Sequence, residues 1–546
     1  MKLIYYLEHF KASTLKKILE GHGIRTKEKS PSKLLNHLLH LLLDVHYLKQ
    51  LYQGLSLEEK EVIDFFIIHR PNQMFSYRSL NQKFDSIHRD RFEKGIHQLM
   101  AKGLLFQLKR NYGDIGFTIP HDLFQLFHQI IFAKRLNPLS KKVQFIEHLQ
   151  EQGKNIDEEF YQFLSGLYFL LSPEGEIGKL NKQQLNKLLK RIQLEESKLE
   201  YFPIHYEIEG LTKTISLLIY LAKGLGLIQF KQNQFSINSK KIHDWLQLSP
   251  FTRHELIEGM IRFSFQSSDL LINHFFHRLF SLSKGKWFHA HQLIEELSNQ
   301  LHRSIDESFY YRIEQEVLKP MEELGFLTYT GDWRKELFLK MKEQVNEEIE
   351  QFYVQPNFEV LVPSHLAYSL RLELEHFADL ERRDQLCLYK ITKASLIKGL
   401  EMGKSIEEIL DFLERYSAIP IHQNMKTILI DWAKGYGAIQ FYDVRILKCE
   451  NKEIASHLKQ ELQDWIIDEI TPLHFIVKKE KHFEQAIKQL KDLGYIPTKR
   501  ILTEKEIYRE DSTSDVFEEE DEFILFKHPD YELVLELESF PAITKP

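Results

Sequence analysis

The chain has 546 residues, which is more than one hydrophobic core normally organises, so three to five domains are expected. Its 43% hydrophobic and 28% charged residues are ordinary for a soluble globular protein. No stretch approaches 18 uncharged apolar residues, and the N-terminus lacks the features of a secretory signal, so no membrane association is expected. With only Cys387 and Cys449, neither a disulfide framework nor a cysteine-ligated metal is expected.

The net charge of −7 conceals an uneven distribution along the chain. Residues 1–150 hold 23 Lys and Arg against 14 Asp and Glu, whereas residues 501–546 hold 4 against 14. A basic N-terminal region and an acidic C-terminal tail favour phosphate contacts at the N-terminal end. The alternative is random surface charge with an acidic disordered tail.

Residues 1–50 predict a helical hairpin. A helix over residues 13–19 is broken by glycine, and a basic loop with Arg25, Lys27 and Lys29 follows. Ser30 and Pro31 then suit the start of a second helix. Helix, basic loop and helix resemble a SAP-type DNA-binding motif, although any small helical hairpin gives the same pattern.

Residues 51–150 predict three helices followed by a hairpin, which is the winged-helix pattern. Ser56 and Glu59 form a capping box for the first helix. Winged helices commonly place the third helix in a DNA groove and the hairpin against phosphate. The candidate contacts here are Arg89, Arg91, Lys94, Lys109 and Arg110.

The end of that unit recurs along the chain. A helix reaching a glycine and then an apolar strand is predicted at Leu99–Phe106, Tyr220–Ile228, Met321–Leu327 and Asp431–Tyr436. We therefore predict a winged-helix-like second unit over 151–250 and a third winged helix over 251–345. The segment Ile242–Pro250 also resembles a segment of bacterial helicase-associated proteins.

The third unit supplies four further candidate DNA contacts, Arg303, Arg312, Arg334 and Lys335. Trp333 lies beside them as a stacking or core aromatic. Its third helix also carries many acids, and winged helices often bind protein, so both DNA and protein contacts stay open for this unit.

Residues 346–500 predict an α/β domain, with helices extending to about Asp384 and again to Trp465. This region resembles the N-terminal domain of XPB-type DNA repair helicases, a non-catalytic domain implicated in DNA engagement and partner contacts. The matching segments are Val354–Pro356, Phe377–Glu381, Tyr389–Thr392, Phe412–Ser417 with Pro420, and Tyr436–Ile439.

Residues 501–546 form an acidic tail with apolar stretches, Phe523–Phe526 and Tyr531–Leu537, that suit a terminal hairpin or a partner-binding strand. Because the tail is acidic and the first 150 residues are basic, we expect the tail to fold back onto them as a DNA mimic.

Motifs for catalysis were sought without success. Gly403-Lys404-Ser405 imitates the end of a phosphate-binding loop, but the first glycine position is Lys398, and Ser405 with Glu408 predicts a capping box. Histidine pairs such as His274 and His277 lack a second pair at zinc-ligand spacing. No enzyme, cofactor or metal is therefore expected.

The sequence predicts an α+β, mainly helical chain of winged-helix units with an XPB-like domain. The expected role is a non-catalytic, cytoplasmic and nucleoid-associated DNA-binding accessory factor in DNA repair or processing, with a separate helicase or nuclease as partner. The main alternative is a protein-interaction scaffold or a transcription-type regulator, and an unrecognised enzyme is a third class.

Overall fold

The structure is a computed structural model. It describes residues 2–69, 75–76, 86–110, 115–132, 136–139, 154–171, 177–178, 182–204, 211–231, 234–333, 336–343, 347–384, 386–437, 444–463, 465–478, 483–496 and 531–533. The chain divides into two compact units, Met1–Lys426 with Phe526–Pro546, and Thr427–Leu525. The described helices are all too short or too polar to cross a lipid bilayer.

The protein is α+β, with many helices and small sheets, as the sequence predicts. The helices are α1 (Leu3–Leu7), α2 (Ala12–Gly21), α3 (Pro31–Leu42), α4 (Val45–Gly54), α5 (Leu57–Asp64), α6 (Ser86–Ala101), α7 (His121–Ile131), α8 (Ile156–Leu171), α9 (Lys182–Arg191), α10 (Glu196–Leu199), α11 (Lys213–Gly224), α12 (Ser239–Leu246), α13 (Pro250–Ser264), α14 (Leu270–Leu279), α15 (Ala290–Leu301), α16 (Glu307–Ile313), α17 (Lys319–Glu323), α18 (Tyr368–Glu375), α19 (Lys393–Glu401), α20 (Ile406–Tyr416), α21 (Gln423–Ala433), α22 (Lys452–Glu461) and α23 (Phe483–Asp492). Helices α5 and α16 continue into π-helical turns at Phe65–His69 and Glu314–Leu318.

The strands are short. They are β1 (Phe75–Ser76), β2 (Phe106–Arg110), β3 (Ile115–Thr118), β4 (Ile177–Gly178), β5 (Ile228–Lys231), β6 (Gln234–Ile237), β7 (Trp287–His289), β8 (Leu327–Asp332), β9 (Glu336–Met341), β10 (Tyr353–Val354), β11 (Glu359–Pro363), β12 (Asp379–Arg382), β13 (Leu386–Lys390), β14 (Arg445–Lys448), β15 (Ile466–Thr471), β16 (His474–Val477) and β17 (Tyr531–Leu533).

Three stretches of the first unit, called the first, second and third repeats, share one topology. In each, a helix precedes a short strand, one or more described helices follow, and a hairpin closes the stretch. The first strand pairs with the third and the third with the second, giving the orders β1-β3-β2, β4-β6-β5 and β7-β9-β8. The hairpins lie where the sequence predicts them, but β1, β4 and β7 were not predicted, because strands of two or three residues show no alternation. The helix expected at 77–84 in the first repeat lies outside the described residues.

A glycine with positive φ follows the last helix before the hairpin in each repeat. These are Gly103 (φ 65°), Gly226 (φ 70°) and Gly325 (φ 85°). The sequence identifies the first and last, but in the second repeat it pointed to Gly224, which is still the final residue of α11. Either glycine can adopt a positive φ, so only the length of the helix decides which of the two does so.

The sheet that follows the third repeat has the antiparallel order β10-β11-β13-β12. The sequence extended the helix here to about Asp384, which is wrong: α18 ends at Glu375, and Asp379–Arg382 form β12. This edge strand is rich in charge and bulges between Leu380 and Arg382, so it lacks the alternation that identifies strands.

Charged side chains on α18 are buried against the second repeat. The Arg371 guanidinium donates to the Glu158 carboxylate and to the Tyr389 hydroxyl, both at 2.8 Å. Tyr389 in turn donates to the Glu375 carboxylate at 2.8 Å, and Arg191 donates to the same carboxylate at 2.6 Å. This network joins α8 and α9 to the sheet that contains β13.

The second unit contains the antiparallel sheet β14-β16-β15 with helices α22 and α23. Its core includes Cys449, Ala455, Leu458, Leu462, Phe475 and Leu490. The helix predicted to extend to Trp465 is too long: α22 stops at Glu461, and Ile466 begins β15.

The last described strand belongs to the first unit. Strand β17 pairs antiparallel with β2, and Glu532 lies opposite Lys109 in the register. A strand within Tyr531–Leu537 was predicted, and residues 531–533 form one. The acidic tail therefore contributes a fourth strand to the sheet of the first repeat.

Candidate nucleic-acid interface

The segment between α2 and α3 carries three exposed cations, which we call the basic ridge: Arg25, Lys27 and Lys29. The intervening side chains at 24, 26, 28 and 30 are half-buried. This alternation is typical of extended chain, in which residues two apart lie on one side at roughly 6–7 Å. Within the described part of the chain, none of the three cations forms an ion pair.

Hydrogen bonds along the segment fix the ridge. The Thr26 hydroxyl accepts from the Glu28 backbone N–H at 3.1 Å. The Glu28 carboxylate accepts from the backbone N–H groups of Lys29 and Ser30 at 2.8 and 2.9 Å, and these bonds lower the pKa of Glu28. Because the Glu28 carboxylate bonds the backbone of the next two residues, it orders the segment that carries the cations.

The hairpin is packed on the first repeat. The His22 ring bonds to the Lys102 carbonyl through Nε2 at 2.7 Å, so that nitrogen donates and Nδ1 accepts from the Tyr47 hydroxyl at 2.8 Å. Burial lowers the pKa of His22, which favours this neutral form. A Cβ added at Gly103 would lie 2.9 Å from the Ile18 side chain, so α2 approaches the turn after α6 closely.

The three α6 candidates each pair with a carboxylate. Arg91 reaches Glu61 at 3.1 Å and Lys94 reaches Glu58 at 3.0 Å, both across to α5. Arg89 lies 3.7 Å from Glu93 on its own helix. These pairs are largely exposed, and such pairs contribute little to stability, so phosphate can replace the carboxylates at low cost.

The hairpin candidates of the first repeat lie on β2. The Lys109 side chain is exposed. Arg110 belongs to the same strand, but its side chain is outside the described residues. Both residues are in the β2 segment that pairs with β17.

The second repeat presents a different third helix. Eight of the twelve residues of α11 are buried, from Thr214 to Ala222. A helix enclosed in this way does not reach a DNA groove unless the fold opens. Helix α11 is thus part of the protein core.

In the third repeat the candidates are dispersed. Arg303 is exposed, whereas Arg312 is held by Asp269 at 3.1 Å and Glu316 at 2.8 Å. Trp333 stacks on the Tyr310 ring at 5.4 Å and 10°. Arg334 and Lys335 lie outside the described residues.

The imitation of a phosphate-binding loop lies at the junction of α19 and α20. Lys404 pairs with Glu373, and the Ser405 hydroxyl accepts from the Glu408 N–H at 3.1 Å. The reciprocal bond from Ser405 N–H to Glu408 is present as well, which confirms the predicted capping box. Lys404 and Ser405 therefore have structural roles within the fold.

The paired histidines are structural neighbours in a core. His274 and His277 are buried on α14, where His274 bonds to His128 at 3.1 Å. In the described ranges, no group of three or more His, Cys, Asp or Glu side chains is arranged to hold a metal ion.

The sequence analysis did not single out the buried Arg371 and Glu375, or the exposed Glu307 and Tyr311 on α16. Spacing was the available signal, since Arg371 and Glu375 are four residues apart and Glu307 and Tyr311 are four apart on one helix face. Neither pattern shows from the sequence alone which side of the helix is buried.

Residues 352–464 match the family described as the helicase conserved C-terminal domain. The matched stretch lies within residues 346–500, for which the sequence predicts an XPB-type N-terminal domain, but the matched family is a C-terminal helicase domain, so the match shows only that this region is helicase-related. A comparison with curated proteins finds no match.

Proposed function

We propose that this protein is a non-catalytic DNA-binding accessory factor that acts in DNA repair or processing beside a separate helicase or nuclease. The observation that carries the proposal is the basic ridge, with its three exposed cations on an ordered, extended segment. Lysine and arginine that contact phosphates release condensed counterions, which provides affinity without reading sequence. We infer binding that depends on salt and varies little between DNA sequences.

We infer that the hairpin bearing the ridge is a SAP-like module and that the three repeats are winged helices. In the sheet of each repeat, the third strand lies between the first and the second. This strand order, with the hairpin that closes each repeat, supports the inference that the repeats are winged helices. Helix α6 would then add Arg91 and Lys94 to the interface, once phosphate replaces Glu61 and Glu58.

The helicase-related region supports a role near DNA-processing enzymes. We infer that it resembles the N-terminal domain of XPB-type helicases and serves partner and DNA contacts rather than catalysis. The Lys404 and Ser405 contacts are in keeping with this inference, because both residues are engaged within the fold.

The decisive measurement is DNA affinity at several salt concentrations. Changing Arg25, Lys27 and Lys29 together to Ala should weaken binding to duplexes of unrelated sequence equally. It should flatten the slope of log K against log salt by about 3, at ~0.9 for each lost phosphate contact. Changing Arg89, Arg91 and Lys94 should act in the same direction with a smaller effect, because their carboxylate partners already compete.

A matched control removes three exposed lysines elsewhere, Lys187, Lys190 and Lys393. It alters net charge equally, so it should leave the slope unchanged. The proposal is wrong if the full chain binds no DNA, or if the control and ridge variants lose affinity to the same extent.

A protein-interaction scaffold is the second candidate. The enclosure of α11 and the carboxylate partners of Arg312 favour it, since both remove third helices from DNA contact. If the protein is a scaffold, it should form a stable protein complex. Neither nuclease treatment nor the ridge substitutions should affect the formation of that complex.

A further inference from the structure

A cavity of about 210 Å³ lies between α7, α13 and α14 in the first unit. Its described lining is rich in groups that can donate hydrogen bonds and contains no carboxylate. The polar and basic residues of that lining are Gln125, His128, Gln129, Arg262, His277 and Ser281. Gln129 is exposed, whereas His128 and His277 are buried, so the cavity leads from the surface into the core. This composition suits an anion better than a cation.

The His277 imidazole lines this cavity with its hydrogen-bonding groups unused. The residue is 3% exposed, and neither ring nitrogen has a hydrogen-bond partner among the described residues. The rings of Phe124 and Phe276 hold the imidazole edge-on, with centroids 5.0 and 5.4 Å away. A buried polar group without a partner is unfavourable, so a ligand that bonds to His277 would recover free energy that the fold leaves unused.

The fixed charges around His277 offset one another. Arg262 on α13 pairs with Glu258 of the same helix at 3.0 Å, and the charge of Glu296 on α15 acts on Arg278 of α14. The other titratable groups that face His277 are the imidazoles of His121, His128 and His274. An anion in this cavity would therefore need one more positive charge to replace its hydration, and protonation of His277 supplies that charge.

We propose that this cavity binds a small oxyanion, which enters together with a proton on His277. The imidazolium and the Arg262 guanidinium donate to the anion from inside the cavity, and the Gln129 amide donates from its mouth. Liquid water occupies about 30 Å³ per molecule, so the cavity has room for a five-atom ion with some water. The inference is independent of DNA binding at the basic ridge.

Titration calorimetry of the full chain with sodium sulfate tests the site, since the charge of sulfate is constant at mildly acidic and neutral pH. Binding should saturate, and Kd should rise about tenfold for each pH unit above pH 6, because one proton is taken up with each anion. The heats in two buffers of different ionisation enthalpy should report that one proton. Sulfate should also slow hydrogen exchange in α7 and α14, and sodium chloride of equal ionic strength should do neither.

His277→Gln keeps a polar side chain that cannot be protonated. It should weaken sulfate binding at pH 6 about tenfold, the scale of one lost charge-assisted hydrogen bond, and remove the pH dependence. The matched control His243→Gln changes an exposed histidine of α12 and should alter neither. The variant that lacks the three basic-ridge cations should keep the proton-coupled binding. Sulfate heats that do not saturate, an unchanged pH dependence in His277→Gln, or loss of binding in the ridge variant would each overturn the proposal.

Discussion

At the scale of single residues, Glu373 and Glu375 occupy different environments on the same short helix. The Glu375 side chain is 3% exposed, whereas the Glu373 side chain is 33% exposed and pairs with Lys404. Burial alone would raise the pKa of Glu375, but the charges of Arg191 and Arg371 outweigh it and lower the pKa. The ionised carboxylate therefore belongs to the fold, since Arg191 and the buried Tyr389 hydroxyl both bond to it.

Replacing Glu375 by Ala should destabilise the first unit by about 3–5 kcal/mol, because it leaves Arg191 without its carboxylate partner and the buried Tyr389 hydroxyl without its acceptor. Replacing Glu373 by Ala removes an exposed pair and should cost less than ~1 kcal/mol. Urea unfolding, followed by hydrogen exchange at α8 and α18, measures both. Similar losses in the two variants would contradict the role assigned to the buried network.

At the scale of elements, α7 and α14 meet through a cluster of buried histidines. His121 and His128 lie on α7, and His274 and His277 on α14. His274 donates to the Ile68 carbonyl at 2.9 Å, so its other ring nitrogen accepts from His128. Burial lowers the pKa of His121, His128 and His277 well below the ordinary value.

Nearby charge reinforces that effect. Arg262 on α13 also lowers the pKa of His121, His128 and His277, and its own carboxylate partner is Glu258 at 3.0 Å. Protonating the histidines would bring several positive charges into one core. The contact between α7 and α14 is therefore expected to weaken in acid.

The contribution of these histidines to the free energy of unfolding should be present above pH 6.5 and be lost as the pH is lowered further. The reason is that the histidines of the unfolded chain take up protons that the folded ones exclude. Each histidine contributes up to about 1.4 kcal/mol per pH unit in this window. His277→Leu should flatten the dependence, and the ring nitrogens of His277 have no hydrogen-bond partner among the described residues. Thermal unfolding from pH 7.5 to 5 provides the measurement.

The exposed His37 supplies a control, since His37→Ala should leave the pH dependence as it is. An unchanged slope in His277→Leu would show that the cluster does not govern acid stability.

At the scale of the whole molecule, residues 531–533 pair with a strand that lies more than 400 positions earlier in the chain. The acidic tail contributes β17 to the sheet of the first repeat, beside Lys109. Residues 501–546 carry 14 acidic against 4 basic side chains, and residues 1–150 carry an excess of basic ones. The expected folding back of the tail thus has a backbone contact to support it.

Deleting residues 508–546 should tighten binding to non-specific DNA, and more so at low salt, where charges are screened least. Anisotropy titrations with a duplex at low and moderate salt measure the change. Replacing the acidic side chains at 518–522 by amides separates charge from strand pairing. Equal affinity of the deleted and full chains at low salt would rule out competition by the tail.

Local signals in the sequence determined much of the fold. The capping boxes at Ser56 and Ser405 form as predicted, because the two partners lie three residues apart and need nothing from the rest of the chain. The hairpins of the repeats and the helices α2 and α3 follow for the same reason. The basic loop with Arg25, Lys27 and Lys29 was also visible, since it depends only on residue type and position.

The tertiary structure decided which of these residues are available for contacts with other molecules. Arg91 and Lys94 meet Glu61 and Glu58 from 30 and 36 positions earlier, and Arg312 meets Asp269 from 43 positions earlier. Such pairings depend on how helices pack, and helix periodicity gives the spacing of a face but not its neighbour. Whether α11 is enclosed, or α16 exposed, was therefore set by packing between distant segments rather than by their own sequences.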